Sequence, residues 1–314
     1  MTRPIGESAQ DRAMVVDLDA VYEELLRLKS EGMNRVFIND TTLELLKKAQ
    51  LDNREKSGTT PAPVEVIDDL KVLAATQPTA SSNTITARKT AERQLPSPPS
   101  IALPEADPQT QMDWLQQQVE TCSTCLEQRG AEGHIVFGTG SIDADLLFCG
   151  EAPNEADAAN GQPFVGAAGE LLNKIIQAMG VRNESVYKTH LLKWRPAHDK
   201  PYGNRPPNEA EMNFCRPYLQ AQIAIVKPKV IVALGKFAIA GLLGREPASV
   251  AMNEVRGQWE KVAGIPTMPT YNPSYLLHNN TLQTKRKLWE DMLEVMQKLE
   301  IEVSPQQKGY FLPK

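Results

Sequence analysis

Three carboxylates and one aromatic ring are packed into residues 149–169, CGEAPNEADAANGQPFVGAAG, and they are the groups a ligand would meet first. Glu151, Glu155 and Asp157 precede Phe164, which is pinned between Pro163 and a run of small residues. The apolar run 145–148 before this loop is short enough for a buried strand. Leu171, Leu172, Ile175, Ile176 and Met179 after it recur at helical spacing. Open α/β sheets place their ligands in loops that leave the carboxyl ends of buried strands. A solvated acidic loop before an ordinary helix has the same local pattern and stays open at this point. A second group of chemical interest is basic: Lys193, Arg195, Lys200 and Arg205 in one segment, Arg256 further on and Lys236 after VALG. These suit phosphate contact or plain solvation. Four cysteines, two of them in a C-x2-C pair, suggest thiols or a metal site before disulfides.

The elements that must position these residues alternate. Strands are expected at 144–148, 186–192 and 230–234, and a fourth, edge-like one at 266–270, because its prolines argue against a central place. Helices are expected at 171–179, 208–226, 237–243 and 282–299. Strand-helix alternation predicts a mainly parallel four-stranded sheet covered on both faces, an α/β protein in three layers, α/β/α. Upstream, apolar stripes at 18–28 and 43–46 read as a small helical segment spanning 1–50. Residues 51–106 are rich in Pro, Ser and Thr and read as a linker, with a short helix possible at 67–74. The main domain is expected at 107–302 and a tail at 303–314. A net charge of −5 argues against a chain coated in basic residues but not against a local positive groove. With no apolar signal segment and no membrane-length apolar run, the expectation is a soluble cytoplasmic monomer with no membrane partner.

The chain resembles the family 4 uracil-DNA glycosylases in four blocks that occur in the same order. These are GEAP with an acidic run and PFVGAAG, VYKTHLLKWRPAHDKPYGNR at 186–205, KVIVALG at 229–235 and YNPSYLL at 271–277. The likeness runs over about residues 113–299 and implies the three-layer α/β/α fold of that superfamily, DNA as partner and hydrolysis of the bond between a flipped base and its sugar. By that resemblance Glu151 and Asp157 take the acidic places of the first motif, orienting water or balancing charge on the sugar, and Phe164 stacks on the base. Asn154 stands where the family has Gly, and Asn tolerates positive φ better than most residues. His190 stands where the family has the Asn that reads the uracil edge, and Asn272 where it has a His beside the leaving base. Either substitution bears on the accepted base, since imidazole offers one polar atom on each side of a ring whereas an amide offers donor and acceptor together. Ser274 and Tyr275 match the loop that grips phosphate, and Leu276 and Leu277 the apolar tip that wedges the duplex.

The resemblance also implies a four-iron, four-sulfur centre. Cys122, Cys125 and Cys215 match three of its ligands, but Trp194 occupies the fourth place, so these cysteines read as remnants and no cofactor is expected. A Cys3His metal site using His198 is the weaker alternative. The expected activity is release of a flipped uracil or modified pyrimidine to leave an abasic site. One alternative is a glycosylase for a bulky modified cytosine in phage DNA, acting in antiviral defence. Another is a catalytically inactive DNA-binding module.

Overall fold

A computed structural model describes residues 95–129, 133–197 and 204–312. The helices expected at 18–28, 43–46 and 67–74 lie outside the described residues, as do Lys200 and His198.

The strands form because each is a run of residues that can be buried on both sides. Leu146–Gly150 (β2) and Val230–Leu234 (β4) are buried along their whole length. Their side chains alternate between two apolar clusters: Leu146, Phe148, Val230, Val232 and Leu234 enter one, while Leu147, Cys149, Ile231 and Ala233 enter the other. That period of two separates the faces of a sheet and gives the sandwich its two cores. Thr139–Gly140 (β1), Tyr187–His190 (β3), Glu260–Val262 (β5) and Ile265–Thr270 (β6) complete a sheet of order β1-β3-β2-β4-β6-β5. The four inner strands are parallel, as expected, and the two short outer ones pair antiparallel.

One face is covered by helices Pro108–Thr121 (α1), Ser123–Gln128 (α2), Glu209–Val226 and Lys236–Leu243. The other is covered by Gly166–Ala178, Pro273–His278 and Leu282–Lys298. In chain order the helices are α3 (Glu155–Asn160), α4 (Gly166–Ala178), α5 (Glu209–Val226), α6 (Lys236–Leu243), α7 (Met252–Val255), α8 (Pro273–His278), α9 (Leu282–Lys298) and α10 (Pro305–Lys308).

The expectation for 266–270 needs correction. β6 is an inner strand, with β4 on one side and β5 on the other. Its prolines fit because neither is asked for a ladder N–H. Pro266 precedes Thr267, the first residue in register with β4, and Pro269 lies past Thr267, the last in register with β5. Where β5 has ended, the Pro269 carbonyl accepts from Gly257 N at 3.0 Å. The structure also gives the last residues a packing role. Trp289 Nε1 donates to Gln307 O at 2.6 Å, Gln307 Nε2 donates to Ala178 O at 2.8 Å, and the Tyr310 ring lies 5.3 Å from that of Trp289. No helix among the described residues is long and apolar enough to cross a membrane.

Candidate active site

Four parallel strands bring four chain crossings to one edge. Gly150 is in register with His190, Cys149 with Ala233, and Leu234 with Thr270. His190, Glu151, Gly235 and Asn272 therefore stand along that edge in the order β3, β2, β4, β6. At the usual spacing His190 and Asn272 are about 14 Å apart at the backbone, room for a nucleotide between their side chains. The two loops are tied together from behind, since α4, which follows Phe164, packs on α8, which follows Asn272. Phe164, Tyr271 and Leu276 share one apolar cluster.

At the β2–β3 end, the Phe164 and His190 rings lie 4.4 Å apart at 39°, only 7% and 4% exposed. Phe164 adopts φ 58°, a conformation that non-glycine residues hold at a cost of about 1–3 kcal/mol and that concentrates at functional sites. Gly169 makes it possible: a Cβ there would overlap the Phe164 carbonyl. A Cβ at Gly150 would likewise overlap His190 Nδ1 and lie 2.9 Å from Phe164 Cζ. Close approach is the reason for glycine at both positions.

Asp157 anchors this corner. One carboxylate oxygen accepts from Val165 N at 2.9 Å. The other accepts from Asn154 N at 3.2 Å and meets His190 Nε2 at 3.0 Å. Asn154 returns the bond, its Oδ1 accepting from Asp157 N at 2.9 Å, which closes a capping box on α3. Asn154 is extended, at φ −86°, so the positive φ that Asn tolerates is not used; it serves as a cap instead. Burial lowers the pKa of His190 despite the opposing effect of Asp157, so the imidazole is neutral at physiological pH. Glu151 follows β2 directly, half-buried, its carbonyl accepting from Leu192 N at 3.0 Å.

At the β4–β6 end, Asn272 caps α8, its Oδ1 accepting from Ser274 N at 3.1 Å. That bond assigns the amide and leaves Nδ2 as the donor end, near Gly235. Gly235 has φ 95°, and a Cβ on it would lie 3.3 Å from Asn272 Cβ. Ser274 is exposed, and Tyr275 stacks on Tyr271 at 5.0 Å. Leu276 does not reach the surface; it is buried in the core, whereas Leu277 is 44% exposed.

Several basic residues proposed for phosphate are otherwise engaged. Lys193 is 0% exposed, neither at phosphate nor in solvent. Its Nζ donates to Gln222 Oε1 at 2.7 Å, His190 O at 2.8 Å, Thr189 Oγ1 at 2.9 Å and Phe137 O at 3.2 Å. Arg205 holds buried Glu211 through two bonds of 2.6 and 2.7 Å. Arg256 pairs with buried Asp291 at 2.5 Å and lies over the Tyr271 ring. Arg195 reaches Glu155 at 3.5 Å and Asn204 at 3.0 Å. Lys236 is half-buried at the first turn of α6. A lysine inside the apolar run Leu191, Leu192, Trp194 was the readable sign that Lys193 turns inward.

The cysteine site does not fit a four-thiolate cluster. Cys122 caps α2, its Sγ accepting from Cys125 N at 3.5 Å, and Cys125 and Cys215 are buried nearby; burial raises the thiol pKa of Cys125, and the neighbouring Cys215 and Cys122 raise it further. Trp194, in the remaining ligand place, is fully buried, its ring 6.0 Å from Phe214 and its indole N–H without an acceptor among the described residues. An indole N–H is a donor only and cannot ligate iron. Among the described residues no group of three or more His, Cys, Asp or Glu is placed to hold a metal.

Comparison with known proteins agrees with this architecture. The family described as Uracil DNA glycosylase superfamily matches residues 137–293. A Type-4 uracil-DNA glycosylase of Thermotoga maritima is 35% identical over 184 residues, 58% of this chain and 91% of the relative. Those of Sulfurisphaera tokodaii and Saccharolobus solfataricus are 34% and 33% identical, covering 64% and 60% of this chain and 90% and 86% of the relatives. With the matched span containing the whole parallel sheet and both loops of the site, the chain belongs to the uracil-DNA glycosylase superfamily, with its similarity greatest toward the type 4 enzymes.

Proposed function

We propose that this protein is a DNA glycosylase that hydrolyses the N-glycosidic bond of a flipped uracil-type pyrimidine and leaves an abasic site. The supporting observation is the pairing of a buried Phe164–His190–Asp157 corner with an Asn272 donor across the carboxyl edge of the sheet, in a chain similar to proteins named uracil-DNA glycosylases.

A base taken out of the stack lies against the Phe164 ring, with its Watson–Crick edge toward His190. As the bond to the sugar lengthens, positive character grows on the sugar and negative charge on the base. Asn272 Nδ2 donates to the base, a neutral donor that stabilises the developing anion without transferring a proton. Asp157 holds the corner through both oxygens, and Glu151, which follows β2 directly at the sheet edge, balances charge at the sugar and orients water. Ser274 and Tyr275 hold the adjacent backbone, and Leu277 fills the space the base vacates.

End-labelled strands carrying uracil, hypoxanthine or substituted cytosines, incubated with the protein and then treated with alkali, test this reading. It expects strand breaks at uracil or a substituted cytosine, and breaks at hypoxanthine alone, or binding without breaks on every one of them, would overturn it.

A further inference from the structure

We propose that His190 reads the flipped pyrimidine through a single acceptor atom, Nδ1, so that the site takes 4-amino pyrimidines, the cytosine class, as well as 4-oxo pyrimidines, the uracil class. This inference rests on the glycosylase reading above and specifies its substrate.

The tautomer follows from the hydrogen bonds. Asp157 accepts from two backbone N–H groups, Val165 on one oxygen and Asn154 on the other, and a backbone N–H has no alternative role. Both oxygens are thus acceptors, so the contact of the second with His190 Nε2 takes its proton from the imidazole. Asp157 is thus a positioning residue, fixing ring and tautomer together. Nδ1 is then left with a lone pair. It is buried and makes no hydrogen bond among the described residues, and it lies close to Gly150 and Phe164, since a Cβ built on Gly150 would meet both Nδ1 and the Phe164 ring. Among the described residues no group donates to that lone pair, and a buried acceptor without a donor is costly until a ligand supplies one. The ring packed on His190 is also the ring on which the base stacks, so a base that shifts Phe164 meets both.

An asparagine in this place offers a donor and an acceptor side by side, the complement of the uracil O4 and N3–H pair. Nδ1 offers the acceptor alone. Uracil satisfies it with N3–H and leaves O4 without a protein donor, while cytosine satisfies it with its 4-amino group and leaves N3 without one. The two bases lose alike, and the advantage uracil would draw from a second bond disappears. One neutral hydrogen bond is worth about 0.5–1.5 kcal/mol, and up to about 3 kcal/mol when its absence strands a buried group, which corresponds to roughly 2- to 150-fold in preference.

Single-turnover excision is measured on strands with uracil or cytosine at one position, using the full chain and His190→Asn. Leaving-group chemistry cancels when the uracil-to-cytosine ratio of the variant is divided by that of the wild type. That quotient is expected to lie between about 2 and 150, and a quotient within twofold of one, or below it, would overturn the proposal. A nitrogen-15 histidine spectrum of the wild-type protein, which needs no variant, is expected to show His190 with a pyrrole-like, carboxylate-bonded Nε2 and a pyridine-like Nδ1. The opposite tautomer, or protons on both nitrogens at neutral pH, would also overturn it. Release of neither base would instead remove the glycosylase reading, with the spectrum still deciding the tautomer.

Discussion

Lys193 is the residue whose replacement tests the packing behind the site most quantitatively. Its ammonium group is fully buried and, among the described residues, hydrogen-bonds to neutral acceptors: two carbonyls, a hydroxyl and an amide oxygen. Burial pulls its pKa down from 10.5 to about 8. The folded state therefore gives up the proton earlier than the unfolded chain. Below about pH 8 both states hold it and the shift costs its full amount; between about 8 and 10.5 only the unfolded chain holds it, and stability rises with pH. The shift is worth about 3 kcal/mol across that window. The Lys193→Met variant has the same length and no titration, so the difference between wild type and variant isolates this group. Urea unfolding followed by circular dichroism at several pH values from 7 to about 10.5 should show wild type gaining about 3 kcal/mol on the variant. Curves that stay parallel within about 0.5 kcal/mol would show that Lys193 is not a desolvated cation, and would remove the reasoning that places it under the His190 carbonyl.

Arg256→Ala leaves Asp291 buried beside Thr270 without its cation and is expected to cost about 3 kcal/mol at pH 8. Burial already raises the Asp291 pKa to about 6, so the carboxyl takes up a proton in mildly acid solution and the penalty should shrink at pH 5, measured by the same unfolding curves. Leu276→Ala should lose about 2–5 kcal/mol of stability, as a core truncation does, whereas Leu277→Ala should change stability by less than about 0.5 kcal/mol and slow excision from duplex more than from single strands. The purified chain should lack the broad visible absorption of iron-bound thiolate, and Trp194→Cys, which supplies the fourth thiol, should acquire it after reconstitution with iron and sulfide.

The parallel sheet was legible because β2 and β4 are uninterrupted apolar runs, and runs of that kind are buried from both sides in few architectures. The inner place of β6 was not, since two prolines hide a strand whose ladder asks neither of them for a proton. The Asn154-x-x-Asp157 spacing carried a readable capping signal. Knowing that Asp157 was spent on a cap would have separated it from Glu151 as a source of catalytic charge. Arg205 and Arg256 could not be told from surface cations, because Glu211 lies on α5 and Asp291 on α9 and only the fold brings those carboxylates to them. Leu276 and Leu277 differ by one helical step, about 100° around α8, and which of the two points inward depends on how that helix lies on α4.

The claim on which the rest depends is that a base held between Phe164, His190 and Asn272 is released at the sheet edge. Single-turnover excision of the best substrate by Phe164→Ala and Asn272→Ala, each checked for a native circular dichroism spectrum, tests it directly. Loss of the stacking ring should slow excision about 5- to 150-fold and loss of the amide donor about 100- to 1,000-fold. Wild-type rates in either folded variant would contradict the account.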